Sequence, residues 1–329
     1  MNAIKKIGLT ALAGSLVATS VFAGEMTVTG SAGIGLANQD KTTQNNGFSM
    51  TDEITFAGSG EMDNGWTVAV SMQLDNNAQA ASGNNMDNRS VTIGMGDLGT
   101  VTFSGHGGDS AFGAVDDVTP SAYGEAWDIL GTTTSGGIVP ETAVAKLGSI
   151  GGTGTDNMLS YNNSSFVDGL SVTASYVPSN GTVVESVTSF AVAYTGVEGL
   201  TVGYAQDDNG LAGTSAIDVD TMYAKYVYGP VTVGYQVSTQ DANGSTNDDE
   251  FTAMGVTYAV SDSLSIGYNT TEYNDDDNTS DEESTSISFS YTMGSMTLAG
   301  AQVSVDNQGG SAAAINDVSG YALDLSFAF

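Results

Sequence analysis

Large apolar residues alternate with small or polar ones, at a period of two, along most of this chain. In the last segment Tyr321, Leu323, Leu325, Phe327 and Phe329 share one parity, and Ala322, Asp324, Ser326 and Ala328 the other. Such alternation places each set on one face of a β-strand. Trp66, Val68, Val70, Met72 and Leu74 likewise oppose Thr67, Ala69, Ser71 and Gln73. Val231, Val233, Tyr235 and Val237 oppose Thr232, Gly234 and Gln236, and Ile287, Phe289, Tyr291 and Met293 oppose Ser286, Ser288, Ser290 and Thr292. The second face is therefore wet, but it is built from Ser, Thr, Gly and Gln, where soluble sheets usually carry Lys and Glu. Alternation alone fits a sandwich with one solvated face or a barrel whose apolar face meets lipid.

A repeat favours the barrel. Leu170, Leu200, Val231, Leu264 and Met296 open similar strands and recur every 30 to 33 residues. Each interval holds a strand, an Asp/Asn-rich loop, a returning strand and a short turn. The short turns are Val197-Glu198-Gly199, Tyr228-Gly229-Pro230, Ser261-Asp262 and Gly294-Ser295; the longer connections run through Asp207–Asp208, Asp241–Glu250, Asn274–Glu283 and Asp306–Asp317. Short turns at one end and longer loops at the other are a property of transmembrane barrels. Tyr194, Tyr204, Tyr228, Tyr235, Tyr258, Tyr268 and Tyr291 fall near strand ends, where amphipathic rings suit a membrane interface. The expected fold is all-β: a transmembrane antiparallel β-barrel of about sixteen strands. The first strand, Met26 to Leu36, pairs with the last, and a barrel of this size encloses an aqueous lumen.

The start of the chain and its charge narrow the class further. Lys5 and Lys6, an apolar run from Ile7 to Val17, and Val21-Phe22-Ala23 have the form of a secretory signal cleaved after Ala23. The expected organisation is a signal over residues 1–23 and a barrel over 24–329. Cleavage would leave Lys41, Arg89, Lys146 and Lys225 against 38 acids, a balance that excludes nucleic-acid phosphates as partners. There is no cysteine, hence no disulfide or thiolate metal site. No later segment has the apolar run of about 18 residues that a membrane helix needs.

One connection breaks the hairpin rhythm. Between His106 and about Asn157 the chain has no strand pattern, and so long a loop in a compact domain is ordinarily functional. It follows Gly96-Asp97-Leu98-Gly99-Thr100-Val101 and a strand ending at Gly105-His106. That run, with the loop after it, resembles the general bacterial porins, particularly the alphaproteobacterial ones. The terminal aromatic resembles the signal by which outer-membrane proteins enter the barrel-assembly machinery, with Tyr321, Leu325, Phe327 and Phe329 as its residues. The resemblance implies an outer-membrane location, contact with lipid and lipopolysaccharide, a homotrimer, and a third loop (107–156) folded into the pore. It implies that the loop segment Asp109 to Asp128 lines a constriction with Asp116, Asp117, Glu125 and Asp128, while Phe112, Tyr123 and Trp127 pack on the wall. Family members face these acids with arginines. Here His106, on the lumen-facing parity of Thr102 and Ser104, stands at the arginine position, Lys225 is the other inward base, and the parity of Arg89 puts it at a loop edge. A charged ring in a narrow lumen selects by sign, so the expected channel passes ions and small hydrophilic solutes passively and prefers cations.

Catalytic chemistry is sparse. A single histidine excludes multi-histidine metal sites. Ser104 and His106 lack the third group and oxyanion elements of a hydrolase. The glycines of Gly148 to Gly154 lack the lysine and the strand-then-helix context of a phosphate loop. No enzyme activity and no cofactor are expected. Asp275-Asp276-Asp277 and Asp281-Glu282-Glu283 could take Ca²⁺ or Mg²⁺, which prefer oxygen ligands, though EF-hand spacing is absent. Two rival readings share these features: a secreted, acidic, Ca²⁺-binding surface or adhesion protein, and a substrate-specific outer-membrane channel.

Overall fold

The computed structural model describes residues 25–40, 47–75, 86–127, 129, 156–179, 186–208, 217–242, 248–275, 279–310 and 317–329. Strands follow one another in chain order: β1 Glu25–Gln39, β2 Gly47–Glu61, β3 Thr67–Asp75, β4 Met86–Gly94, β5 Thr100–His106, β6 Met158–Asn163, β7 Leu170–Val177 and β8 Val187–Val197. They continue with β9 Leu200–Asp208, β10 Ile217–Tyr228, β11 Val231–Ala242, β12 Asp248–Ala259, β13 Leu264–Asp275, β14 Glu282–Met293, β15 Met296–Asp306 and β16 Val318–Ala328. Each pairs antiparallel with its sequence neighbours, and β16 pairs with β1 to close the barrel. At that seam Ser31 faces Ala328 and Gln39 faces Gly320. Gly30 and Phe329 then exchange backbone bonds of 2.8 and 2.9 Å. Closure leaves no sheet edge, which backbone in lipid requires.

The short turns lie where glycine is needed. Gly199 between β8 and β9, and Gly294 between β14 and β15, have φ of +75° and +63°, angles that only glycine adopts at no steric cost. The longer connections differ from expectation in one respect. Asp207, Asp208, Asp241, Asp248, Asp249, Glu250, Asn274, Asp275, Glu282, Glu283 and Asp306 lie on strands. The backbone ladder continues past the apolar belt, and these acids ride on its outer end. Arg89, expected at a loop edge, sits within β4. The expected signal segment lies outside the described residues.

Burial along the strands is inverted relative to a soluble protein. Gln236 and Asn269 are fully buried, whereas Ile287 is 66% exposed and Met222 58%. Met50, Val70, Met254, Tyr268 and Tyr291 are exposed on the same outer parity, and Ser175, Ser189, Ser284, Ser286 and Ser288 are buried on the inner one. In water this would leave an apolar surface far larger than monomers tolerate. Facing lipid, it is the expected outer band of a transmembrane barrel. Tyr321, Leu325, Phe327 and Phe329 belong to that outer face, and the Phe329 ring lies 2.6 Å from where a Cβ on Gly30 would be.

An arginine placed in the outer band should therefore cost far more than one in the lumen. Ile287→Arg is expected to destabilise the barrel by about 2–4 kcal/mol, the range for a cation near the bilayer midplane. Ser71→Arg, on the inner parity of β3, should cost well under half of that. Urea unfolding in lipid vesicles checks the difference.

Candidate functional site: a loop docked inside the barrel

After His106 the chain turns inward, and residues 107–127 run along the inner faces of the strands. Irregular backbone at membrane depth needs hydrogen-bond partners from the surrounding protein. The inner faces of the strands supply them. The Ala111 N–H donates to Ser175 Oγ on β7 at 3.1 Å, and Phe112 N–H donates to Ser189 Oγ on β8 at 2.8 Å. The Ser110 hydroxyl donates to Asp207 Oδ2 on β9 at 3.2 Å. On β11, Gln236 binds twice: Oε1 accepts from Val118 N–H at 3.3 Å and Nε2 donates to the Asp116 carbonyl at 2.6 Å. Ala126 N–H reaches Asn269 Oδ1 on β13 at 2.8 Å, and Ala122 N–H reaches Ser288 Oγ on β14 at 3.2 Å. The Tyr123 hydroxyl bonds Asp324 on β16.

Shape complements these bonds. Gly234 and Gly255 face each other across β11 and β12. A Cβ on Gly234 would strike the Pro120 ring, and one on Gly255 the Pro120 carbonyl. On β13 a Cβ at Gly267 would approach Ala122 N to 2.9 Å. The three glycines form a trough that holds residues 120–122. Two apolar clusters complete the docking. Ala111 and Phe112 pack with Ala191, Ala205, Val219, Phe251, Ala253 and Tyr273, with Trp127 meeting Phe251 edge-on at 6.4 Å. Ile129 and Tyr123 join Ala301, Val303, Val305, Val318 and Ala322.

Of the acids expected at the constriction, Asp117 is exposed and Asp116 half-buried. Glu125 is buried, 3% exposed: one carboxyl oxygen accepts from the Thr119 hydroxyl and the other from Trp127 Nε1 at 2.7 Å. Burial raises its pKa well above the carboxylate range, and the nearby Asp117 raises it further. Asp128 lies outside the described residues. His106 pairs with Asp156 at 2.7 Å. A bulge at the Arg89/Ser90 step of β4 sets His106 opposite Arg89, so the parity of Thr102 and Ser104 does not run through to it. Lys225 stands opposite Gly234 on β10, on the inner parity. The structure thus brings Asp116, Asp117 and Glu125 together on one loop and leaves His106 at the rim.

Sequence reasoning did not single out the wall residues that anchor the loop, although the polar inner parity and its glycines were visible. It also missed Glu53, on the inner face of β2. Gln73 Nε2 donates to Glu53 Oε2 at 2.7 Å, and Asn88 Nδ2 donates to Gln73 Oε1 at 2.7 Å. Among the described residues no three His, Asp or Glu side chains are grouped so as to hold a metal ion; Asp276 and Asp277 lie outside them.

The raised pKa of Glu125 makes loop docking pH-dependent. The folded state holds the proton more tightly than the unfolded one. The associated stability is therefore complete below the ordinary carboxylate pKa and is lost as pH rises through the folded value. The wild-type barrel is expected to lose thermal stability as pH rises above the ordinary carboxylate range, and Glu125→Gln to flatten that slope. Melting curves across that rise test it; parallel slopes for the two proteins would contradict it.

Compared with known proteins, residues 8–311 match the family model described as Gram-negative porin. Solved structures agree on the fold. An anion-selective porin from Comamonas acidovorans is 16% identical, with a TM-score of 0.68 over 93% of this chain and 100% of that one. A mutant Rh. blastica porin is 17% identical with a TM-score of 0.66 over 93% and 100%. The trimer form of OmpT, an outer membrane protein of Vibrio cholerae, is 13% identical with a TM-score of 0.64 over the same shares. No curated protein sequence matches the chain. With the matched residues spanning nearly the whole chain, and a closed barrel carrying an inserted loop, the chain belongs to the Gram-negative porins of the outer membrane.

Proposed function

We propose that the barrel is a water-filled channel for passive diffusion of ions and small hydrophilic solutes, and that it prefers cations. The observation that carries the sign is the scarcity of base in the lumen. Among the described residues the bases are Arg89, His106 and Lys225. Arg89 pairs across the sheet with the outward Met72, and His106 is engaged by Asp156. The loop side of the pore presents Asp109 and Asp117 as exposed acids. A neighbour of the same fold is named anion-selective, so the barrel does not dictate the sign; side chains at the narrowest point do.

The rest of the reading follows from outer-membrane residence. Residues 1–23 act as a cleaved export signal, and the outward aromatics of β16 are read by the assembly machinery. The outer band contacts lipid and lipopolysaccharide. Three copies associate, as in the trimer form of the Vibrio protein, with the small outward residue Ala32 allowing close approach; Gly30, expected to help, is covered by the Phe329 ring. No step requires an enzyme activity or a cofactor. A substrate-specific channel is separated from this reading by solute competition.

Planar-bilayer recordings in a salt gradient test the preference. The expected result is a reversal potential of cation-selective sign, with Asp117→Asn moving it toward zero. An anion-selective wild type would overturn the preference and leave the channel itself standing.

A further inference from the structure

We infer that Glu53 determines the charge selectivity of this pore from the wall facing the docked loop, an inference that rests on the cation-preferring reading above. Its orientation follows from register. Gly35 pairs with Asp324 and with Ser49, and Asp324 is held by Tyr123 of the inserted loop. The odd residues of β1 and β2 therefore face the lumen. Glu53 shares that parity with Ser49, Thr51 and Thr55, while Met50 and Ile54 are exposed outside. Counted in residues from the short-turn ends of their strands, Glu53 stands as far up as the loop anchor Ser189 and above the anchors Ser175, Gln236, Asn269 and Ser288.

The carboxylate is also fixed. Gln73 donates to Oε2 and is itself held by Asn88, a chain across β2, β3 and β4 with 2.7 Å links. Oε1 takes no bond from the described residues. The inward groups beside it, Ser31, Thr51 and Thr55, are neutral, and Asp75, opposite Glu53 at the end of β3, has the same sign. On the loop, Glu125 is enclosed by Thr119 and Trp127, which leaves Asp109 and Asp117 as its exposed acids. Negative charge thus stands on both sides of the passage. Among the described residues, this pairing of like charges sets up no transverse field between the two walls to align dipolar solutes. It instead lowers the potential along the whole path, favouring inorganic cations and small solutes that carry an ammonium group.

The test is the K⁺/Cl⁻ permeability ratio in planar bilayers for wild type, Glu53→Gln, Glu53→Asp and Glu53→Arg. Glu53→Gln should lower the ratio about two- to fivefold, the effect of one unit charge a few ångströms from an ion in water. Glu53→Asp should stay within that range of wild type, and Glu53→Arg should fall below Glu53→Gln. Conduction by Glu53→Asp verifies that the position tolerates change. An unaltered ratio in Glu53→Gln, with Asp117→Asn lowering it, would overturn the inference. The wild-type ratio decides the cation-preferring reading by itself, because the shift on removing Glu53 is measured relative to wild type whichever ion that protein prefers.

Discussion

A length of irregular backbone lies inside this barrel, and its amides must be bonded without help from a lattice of helix or sheet. Unsatisfied, each buried amide costs on the order of 1–3 kcal/mol. Ser175, Ser189, Gln236, Asn269 and Ser288 meet that demand from five different strands. The requirement explains why one wall is lined with hydroxyls, amides and glycines. Large side chains there would displace the loop, and apolar ones would leave its amides bare. It also divides the lumen into a wall from β7 to β16 that is occupied by the loop, and a wall from β1 to β5 that borders the passage.

Closure imposes the complementary condition on the outside. Every strand has two partners, so lipid meets only side chains, and the large ones include Met, Val, Ile, Leu, Phe and Tyr. The absence of long apolar helices among the described residues says nothing against such a membrane protein, since strands cross it with half their residues polar. The same alternation that hides the protein from a hydropathy scan is what lets it hold water inside and lipid outside.

Much of this was legible in the sequence. Period-two alternation identified the outer and inner faces of β3, β11, β14 and β16, and the repeat of hairpins led to sixteen strands. The break after His106 located the inserted loop, because an interval with no alternation could not be another hairpin. The family now established sets aside the secreted calcium-binding alternative. Other features were not legible, for physical reasons. Parity arguments assume an unbroken ladder, and the bulge between Arg89 and Ser90 breaks it at His106. Whether a loop acid faces water depends on its neighbours in space: Asp117 and Glu125 are equivalent in a list of acids, yet Trp127 and Thr119 enclose one and leave the other exposed. Glu53 looked like an ordinary strand residue until pairing placed Gln73 and Asn88 beside it.

On the reading proposed above, the loop docked on one wall sets the width of an otherwise wider pore. Single-channel conductance in the presence of neutral polymers of graded size measures that width directly. Only small polymers should enter the intact protein, and a chain lacking residues 109–127 should admit distinctly larger ones. Equal cut-offs for the two proteins would contradict it, because the narrowest point would then lie elsewhere in the barrel.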